Sequence, residues 1–129
     1  MAPFQHGRHL PAFILLFLLE KPGYGNALLN EMNGKMPRNF ADGPAVYRAL
    51  NELEKNGFVT SSWDASSAGA AKKYYTITDS GKERLEEFKV DIERRVEGLE
   101  FFLTKYRTLS KKRSSSRRAG RRDGAGSTV

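Results

Sequence analysis

The 129-residue chain contains no cysteine, only two histidines and one tryptophan, and no long hydrophobic run. Without cysteine there can be no disulfide, no thiolate metal ligand and no cysteine nucleophile, a composition that suits a reducing cytoplasm. His6 and His9 are the only imidazoles. Both precede the first expected helix, in a stretch (residues 1–9) that reads as a flexible N-terminus. No Gly-x-x-x-x-Gly-Lys-Ser phosphate loop is present, and the acidic residues fall on the solvent faces of expected helices, so the sequence reads as a non-enzyme that needs no metal and no cofactor. The longest apolar run, residues 12–19, falls far short of the roughly 20 residues a membrane span requires. No signal-peptide cleavage pattern follows it, and it reads as a buried helix of a protein without membrane contact.

Charge of one sign is also scarce where the chain should fold. Residues 1–109 carry 15 Lys and Arg against 14 Asp and Glu, whereas residues 110–129 carry 7 against 1, which accounts for the formal net charge of +7. The body is nearly neutral. The excess sits in Lys111-Lys112-Arg113, Arg117-Arg118 and Arg121-Arg122, diluted with Ser, Gly and Ala, a composition that reads as a disordered basic tail. Such a tail is either simply solvated or an electrostatic arm that grips phosphates without reading sequence. A chain of this length allows one small domain plus extensions, and a core of that size is often reinforced by a second subunit.

What is present is most informative over residues 42–81. Asp42 can accept hydrogen bonds from the free N–H groups of a first helical turn, and Pro44 stands where a missing N–H costs nothing. A helix therefore begins near Gly43. Val46, Leu50, Leu53 and Gly57 recur at helical spacing, while Arg48, Asn51, Glu52, Glu54 and Lys55 fall elsewhere on the cylinder. Asn56-Gly57 supplies a left-handed terminator. Residues 59–63 and 74–78 are rich in aromatic and β-branched side chains and read as a hairpin. Its tip, residues 65–71, contains only Ala, Ser and Gly and reads as mobile. Lys72 and Lys73 stand beside that tip, and Trp63 reads as hairpin packing.

The remaining elements are helical. The first helix spans about residues 10–20, with Pro11 in its first turn and almost no polar face, so it must be covered on most sides. Lys21-Pro22-Gly23 breaks it. A second helix from Gly25 to about Met32 turns Leu28, Leu29 and Met32 inward and ends at Asn33-Gly34, after which the chain is irregular through Met36-Pro37-Arg38. Thr78-Asp79-Ser80-Gly81 opens a long helix expected over residues 79–109. Leu85, Ile92, Leu99 and Tyr106 repeat every seven residues, with Phe88, Val96, Phe102 and Leu103 widening the stripe. An apolar face this long points to packing against a second copy, with Phe13 and Phe17 of the first helix joining it; the alternative is that the helix folds back on its own domain. Arg95 interrupts the stripe, which leaves snorkelling or an ion pair as its account.

The fold class is therefore mainly α with a small β-hairpin wing: a winged helix-turn-helix over residues 10–78 and a long C-terminal dimerisation helix. Pro22-Gly23-Tyr24-Gly25, Ala45-Val46-Tyr47-Arg48-Ala49-Leu50 with Leu53-Glu54 and Gly57-Phe58-Val59, and Lys73-Tyr74-Tyr75-Thr76-Ile77-Thr78 with Gly81 together resemble the PadR family of bacterial transcriptional regulators. The resemblance covers about residues 10–109. It implies a homodimeric winged-helix repressor, in some members released from DNA by an aromatic or drug-like effector, and the single C-terminal helix resembles the family's shorter branch. Two positions depart from the family pattern. Gly25 is followed by Asn26-Ala27 rather than Tyr-Glu, with the tyrosine at Tyr24, and Ala70-Ala71 stand where wing arginine and proline are frequent.

Roles follow from chemistry and position. A helix entering the major groove N-terminus first brings Pro44, Ala45, Tyr47, Arg48 and Asn51 near DNA, with Tyr24 and Asn26 at the start of the second helix. Arg48 can grip a phosphate or pair with guanine, and Asn51 matches adenine. The bland alternatives are an Arg48–Glu52 ion pair, burial of Tyr47 against the hairpin, and plain solvation of Lys72 and Lys73, which otherwise reach backbone or minor groove. Phe13, Phe17, Phe88, Phe101, Phe102 and Tyr106 can line an apolar space for a small aromatic effector, although aromatics at this spacing also build cores. The expected partners are double-stranded DNA, at a palindromic operator, and a second copy of the chain. A winged module used only for protein assembly is the competing reading, favoured by the neutral body, and an RNA-binding winged domain is a third.

Overall fold

The computed structural model describes residues 9–36, 40–65 and 71–120, with side chains of the last helix described as far as Arg113. The element order is α1 (Leu10–Glu20), β1 (Gly23–Tyr24), α2 (Gly25–Lys35), α3 (Gly43–Lys55), β2 (Val59–Asp64), β3 (Lys72–Ile77) and α4 (Asp79–Gly120). The chain divides into two units, Met1–Val90 and Asp91–Val129.

The first unit is built around α3. Its stripe Val46, Leu50 and Leu53 is buried against Ile14, Leu15 and Leu18 of α1, Leu28 and Met32 of α2, and Val59 and Tyr75 of the sheet. Each aliphatic side chain so buried contributes about 1.5–3 kcal/mol. Phe40, also buried, meets Phe13 edge-on at 4.9 Å between ring centroids. The Asp42 carboxylate accepts from the Ala45 N–H at 2.8 Å, the N-cap expected from sequence. Gly57, at φ +81°, turns the chain out of the helix in the left-handed region that favours glycine.

The sheet has three antiparallel strands in the order β1-β3-β2. The hairpin β2–β3 is the expected wing, but its ladder is longer than the sequence suggested. Trp63 pairs with Lys73 and Asp64 with Lys72, so both lysines belong to the strand rather than to the loop beside it. The expected loop tip lies for the most part outside the described residues. β1 was not anticipated: two residues after Pro22 are too few to show an alternating pattern, yet Gly23 and Tyr24 pair with Tyr75 and Tyr74.

Two helices also outrun their expected ends. α2 continues through Asn33-Gly34 to Lys35, because the Asn33 amide is committed to tertiary structure. Its Nδ2 donates to the Ala41 carbonyl at 2.9 Å and its Oδ1 accepts from the Ala41 N–H at 3.2 Å, while Glu31 and Lys35 pair across the last turn at 3.4 Å. α4 runs past Leu109 to Gly120, so the stretch read as disordered begins with helix. Extending an existing helix adds one bond per residue fixed, and cations are favoured near a helix C-terminus. Residues 121–129, like residues 1–8 and 37–39, lie outside those described. His9, read as part of a flexible end, is instead the residue preceding α1, with its ring edge-on to Phe88 at 6.4 Å.

α4 starts at a tight junction. Thr78 Oγ1 donates to the Gly57 carbonyl at 2.7 Å and accepts from the Gly81 N–H at 3.0 Å, and Ser80 Oγ donates to the same carbonyl. A Cβ on Gly81 would collide with the Phe58 carbonyl and come within 2.8 Å of Ile77 Cγ1. Leu85 and Phe88 then rest against the core of the first unit, and the Arg84 guanidinium lies 4.2 Å from the Phe88 ring centroid.

In the second unit, Val96, Leu99, Phe101, Phe102, Leu103, Tyr106 and Leu109 are all exposed. Phe102 and Tyr106 stack with ring centroids 6.3 Å apart. Arg95, the interruption in the stripe, pairs with Asp91 one turn earlier at 3.1 Å. No described helix is both long and apolar enough to cross a membrane.

Gly81 and Gly98 of α4 should behave in opposite ways. Gly81→Ala is expected to cost about 1–3 kcal/mol through overpacking. Gly98→Ala, where an added Cβ meets nothing within 4 Å, should be neutral or stabilise by up to about 1 kcal/mol through helix propensity. Urea unfolding of the two variants beside the parent protein measures both.

Candidate nucleic-acid interface

Burial of the α3 stripe decides which residues of that helix meet solvent. Pro44, Tyr47, Arg48 and Asn51 fall at successive turns on the opposite side and all are exposed, with Ala45 half-buried beside them. Among the described residues Arg48 makes no ion pair, so the alternative of a bond to Glu52 is not realised. Its guanidinium is available to an external anion.

The face of α3 continues into a groove of about 380 Å³ between the start of α2, α3 and the wing. Tyr24, Asn26, Tyr47, Asn51, Lys72 and Lys73 line it, so the structure gathers most of the DNA-facing candidates at one place. Pro44, Ala45 and Arg48 lie outside the groove on the same helix. Tyr47 lies over Gly25 and faces the hairpin residues across the groove. A Cβ on Gly25 would come within 2.6 Å of the Tyr47 ring, and the Tyr47 hydroxyl donates to Asn26 Oδ1 at 3.1 Å. Glycine at this position is therefore what lets α2 and α3 bring a phenol and an amide side by side.

Trp63 also lines the groove and is 66 % exposed, which corrects its reading as hairpin packing. The Lys73 ammonium sits 5.5 Å from the centroid of its ring. Trp63 precedes Asp64 on β2 and shares a strand face with Ser61, so its outward position follows from the register, which the isolated sequence does not fix.

Two acidic residues tie the wing to the helices, and neither was marked as functional from sequence. On one face of the hairpin, Glu54 of α3 accepts from Ser61 Oγ at 2.7 Å and from Lys73 Nζ at 3.2 Å, touching both wing strands. The Ser61 hydroxyl is the main cause holding its carboxyl below the ordinary value of 4.5; burial opposes it, and the Lys73 ammonium adds to the lowering. On the other face the Tyr24 hydroxyl donates to Asp64, which raises the phenol above its usual range, and the Tyr24 and Tyr74 rings meet edge-on at 5.1 Å. Burial pushes the Tyr75 phenol upward as well. The three lysine and arginine candidates thus differ. Lys73 is engaged internally, whereas Arg48 and Lys72 have no ion pair among the described residues.

The residues expected to line an effector space are divided between the two units. Phe13, Phe17 and Phe88 pack against the core of the first unit. Phe101 and Phe102 are exposed on the second. Among the described residues no cluster of His, Cys, Asp and Glu could hold a metal ion.

Residues 14–87, more than half of the chain, match the transcriptional regulator PadR-like family. The chain belongs to that family. An uncharacterized protein of Lysinibacillus sphaericus is 34 % identical over 80 residues, covering 61 % of this chain and 73 % of its own. Among solved structures, a PadR-like transcriptional regulator of Bacillus cereus superposes with a TM-score of 0.63 at 30 % identity, covering 74 % of this chain and 91 % of that one. A PadR family transcription regulator of Clostridium difficile gives 0.64 at 25 % identity, covering 74 % and 98 %. Bacillus subtilis PadR, solved in complex with operator DNA, gives 0.56 at 27 % identity, covering 63 % of this chain but 47 % of that one.

The lowered Glu54 carboxyl has a pH signature. A group whose folded pKa is depressed contributes stability that is fully present above its unfolded value and lost as pH falls through the folded one. The stability difference between the parent and Glu54→Gln is therefore expected to stay constant from neutrality to about pH 5 and to shrink below about 4.5. For a pair this exposed it should not exceed about 1 kcal/mol. Urea unfolding at a series of pH values measures it, and a difference that persists unchanged at pH 3 would contradict the assignment.

Proposed function

We propose that this PadR-family regulator is a sequence-specific DNA-binding repressor that acts as a homodimer on a palindromic operator. One observation carries the reading. The exposed face of α3 (Tyr47, Arg48, Asn51) and the wing residues Trp63 and Lys72 border one groove or the turn of helix beside it, with Arg48 and Lys72 outside any ion pair among the described residues. That is the arrangement a helix in the major groove and a hairpin beside it require. Arg48 supplies the fork for guanine or phosphate, Asn51 the amide for adenine, and Tyr47 with Asn26 a hydroxyl and amide for the backbone. Lys72 positions the wing on phosphate. The complex of Bacillus subtilis PadR with operator DNA supports DNA as the ligand class. A protein with this partner works in the cytoplasm, on the nucleoid.

Dimerisation rests on the apolar stripe of α4. Leu99 is 64 % and Phe102 61 % exposed in the single chain, and Val96, Leu103 and Tyr106 extend the same surface. Leu16 and Leu19 of α1, about half exposed, are a second uncovered surface. Solvated apolar area of this extent is stable only when covered, and a second copy covers it symmetrically. Ile92 continues the stripe, while Leu85, Phe88, Phe13 and Phe17 pack against the core of the first unit. An aromatic effector bound among Phe13, Phe17, Phe88, Phe101 and Phe102 of the dimer acts by favouring one spacing of the two reading helices.

Selection of genomic fragments with purified protein is expected to return a palindrome with half-sites about 34 Å apart. Arg48→Ala should abolish that preference while leaving the melting temperature unchanged. Failure of both the full chain and a truncation after Leu109 to retain duplex DNA would instead favour a winged module for protein assembly, which the near-neutral body also suits. Sedimentation at micromolar concentration is expected to show a dimer, and Leu99→Glu with Phe102→Glu a folded monomer. A parent protein that sediments as a stable single copy would remove the dimer from the reading.

A further inference from the structure

The reading face contains a cation that is not offered to the outside. Lys73 lies within the groove, yet its ammonium is bonded to Glu54 Oε1 at 3.2 Å and stands over the rings of Trp63 and Tyr75 at 5.5 and 5.9 Å. The same carboxylate takes the Ser61 hydroxyl through its other oxygen at 2.7 Å. Both side chains of the pair are only about one-third exposed, 30 % for Lys73 and 33 % for Glu54. Lys72, its neighbour on β3, has no ion pair among the described residues, although its ammonium stands 5.9 Å from the centroid of the Tyr24 ring. One acid therefore spans α3, β2 and β3, and in doing so uses the charge of one wing lysine.

We propose that Glu54 is a specificity-determining positioning residue. By holding Lys73 inside the groove it fixes the wing against the reading helix and keeps an ammonium from binding phosphate without regard to sequence. The inference rests on the DNA-binding reading given above and adds to it. An anionic side chain on a DNA-facing surface weakens binding to any duplex, because it repels phosphates and removes one counterion-releasing contact. The same side chain makes the surviving contacts depend on the fit of Arg48 and Asn51 to base edges, since phosphate contacts position and base contacts specify. A wing held by Glu54 on one face and by Tyr24 and Asp64 on the other has little freedom to adapt to a wrong site.

The test is the salt dependence of binding to a mixed-sequence duplex and to the selected palindrome, using the full chain. Each phosphate neutralised contributes about 0.9 to the slope of log K against log[salt]. Glu54→Gln, which keeps a hydrogen-bonding group of the same shape for Ser61, is expected to raise affinity for the mixed duplex at low salt and to steepen the slope by about 0.9. Its affinity should fall about 3.5-fold more than that of the parent between 50 and 200 mM salt, and the ratio of palindrome to mixed-duplex affinity should decrease. Lys73→Gln should leave the slope unchanged but lower affinity for the palindrome, whereas Lys72→Gln should make the slope shallower by about 0.9. In Glu54→Gln/Lys73→Gln the steepening should vanish.

A slope unchanged by Glu54→Gln, or a steepening that survives in the double variant, overturns this inference while leaving DNA binding intact. The first means Lys73 stays where it is, and the second means only a charge was removed. A Lys73→Gln slope shallower by the same amount as Lys72→Gln also overturns it, and needs no Glu54 variant to fold. Absence of binding to either duplex by the parent protein at low salt defeats the DNA reading itself.

Discussion

Burial of Val46, Leu50 and Leu53 is the constraint on which the rest of the first unit depends. These three side chains lock one face of α3 onto α1, α2 and the sheet, and because a helix turns through a fixed angle per residue, that choice dictates that Tyr47, Arg48 and Asn51 point away. A rotation of α3 that brought Arg48 inward would bury a guanidinium and expose three aliphatic side chains, two unfavourable changes at once. The Asp42 cap sets where the helix begins and Gly57 where the chain leaves it. Orientation, start and exit of α3 are thus fixed by separate and local causes.

The wing has no comparable core, and its position depends on polar ties. Only Val59 and Tyr75 of β2 and β3 are fully buried. Beyond them the hairpin is held by Glu54 on one face and by Tyr24 and Asp64 on the other, while the Gly57 carbonyl receives Thr78 and Ser80 at its base. Polar ties of this kind are directional and individually worth about 1 kcal/mol. They set an alignment rather than supplying most of the stability, which suits an element that must meet a partner at a defined angle.

Local signals were legible and tertiary ones were not. The cap, the stripe and the terminator of α3 are patterns within one helix, and the sequence alone places them correctly. So are the two β-rich runs of the hairpin. β1 was invisible because two residues carry no period, and it exists only because β3 offers an edge beside it. Glu54 looked like an ordinary solvent-facing acid because its partners, Ser61 and Lys73, lie in other elements. Trp63 was misjudged for a related reason: whether a strand residue faces core or groove depends on a register that composition does not reveal. The length of α4 was underestimated because Ser and Arg dilute its apolar repeat beyond Leu109, a composition that argues against starting a helix but not against continuing one. Arg95 needed only a partner, and Asp91 supplies it.

The distribution of charge suggests a division of labour between the ends of the chain. In residues 1–109 cations and anions nearly balance, and at the groove Glu54 answers Lys73, while Lys72 in the groove and Arg48 beside it have no ion pair among the described residues. Under the proposed DNA binding, two phosphate contacts per chain would generate only a shallow dependence on salt, with a slope of about 2, and discrimination would fall to amide, phenol and guanidinium groups. Residues 110–129 carry the opposite balance, seven cations against one anion. Charge without shape gives affinity for any duplex. If DNA is the ligand, as proposed, charge concentrated in residues 110–129 would add attraction to any duplex without adding charge to the exposed face of α3. The basic isoelectric point of the chain therefore comes mainly from residues 110–129.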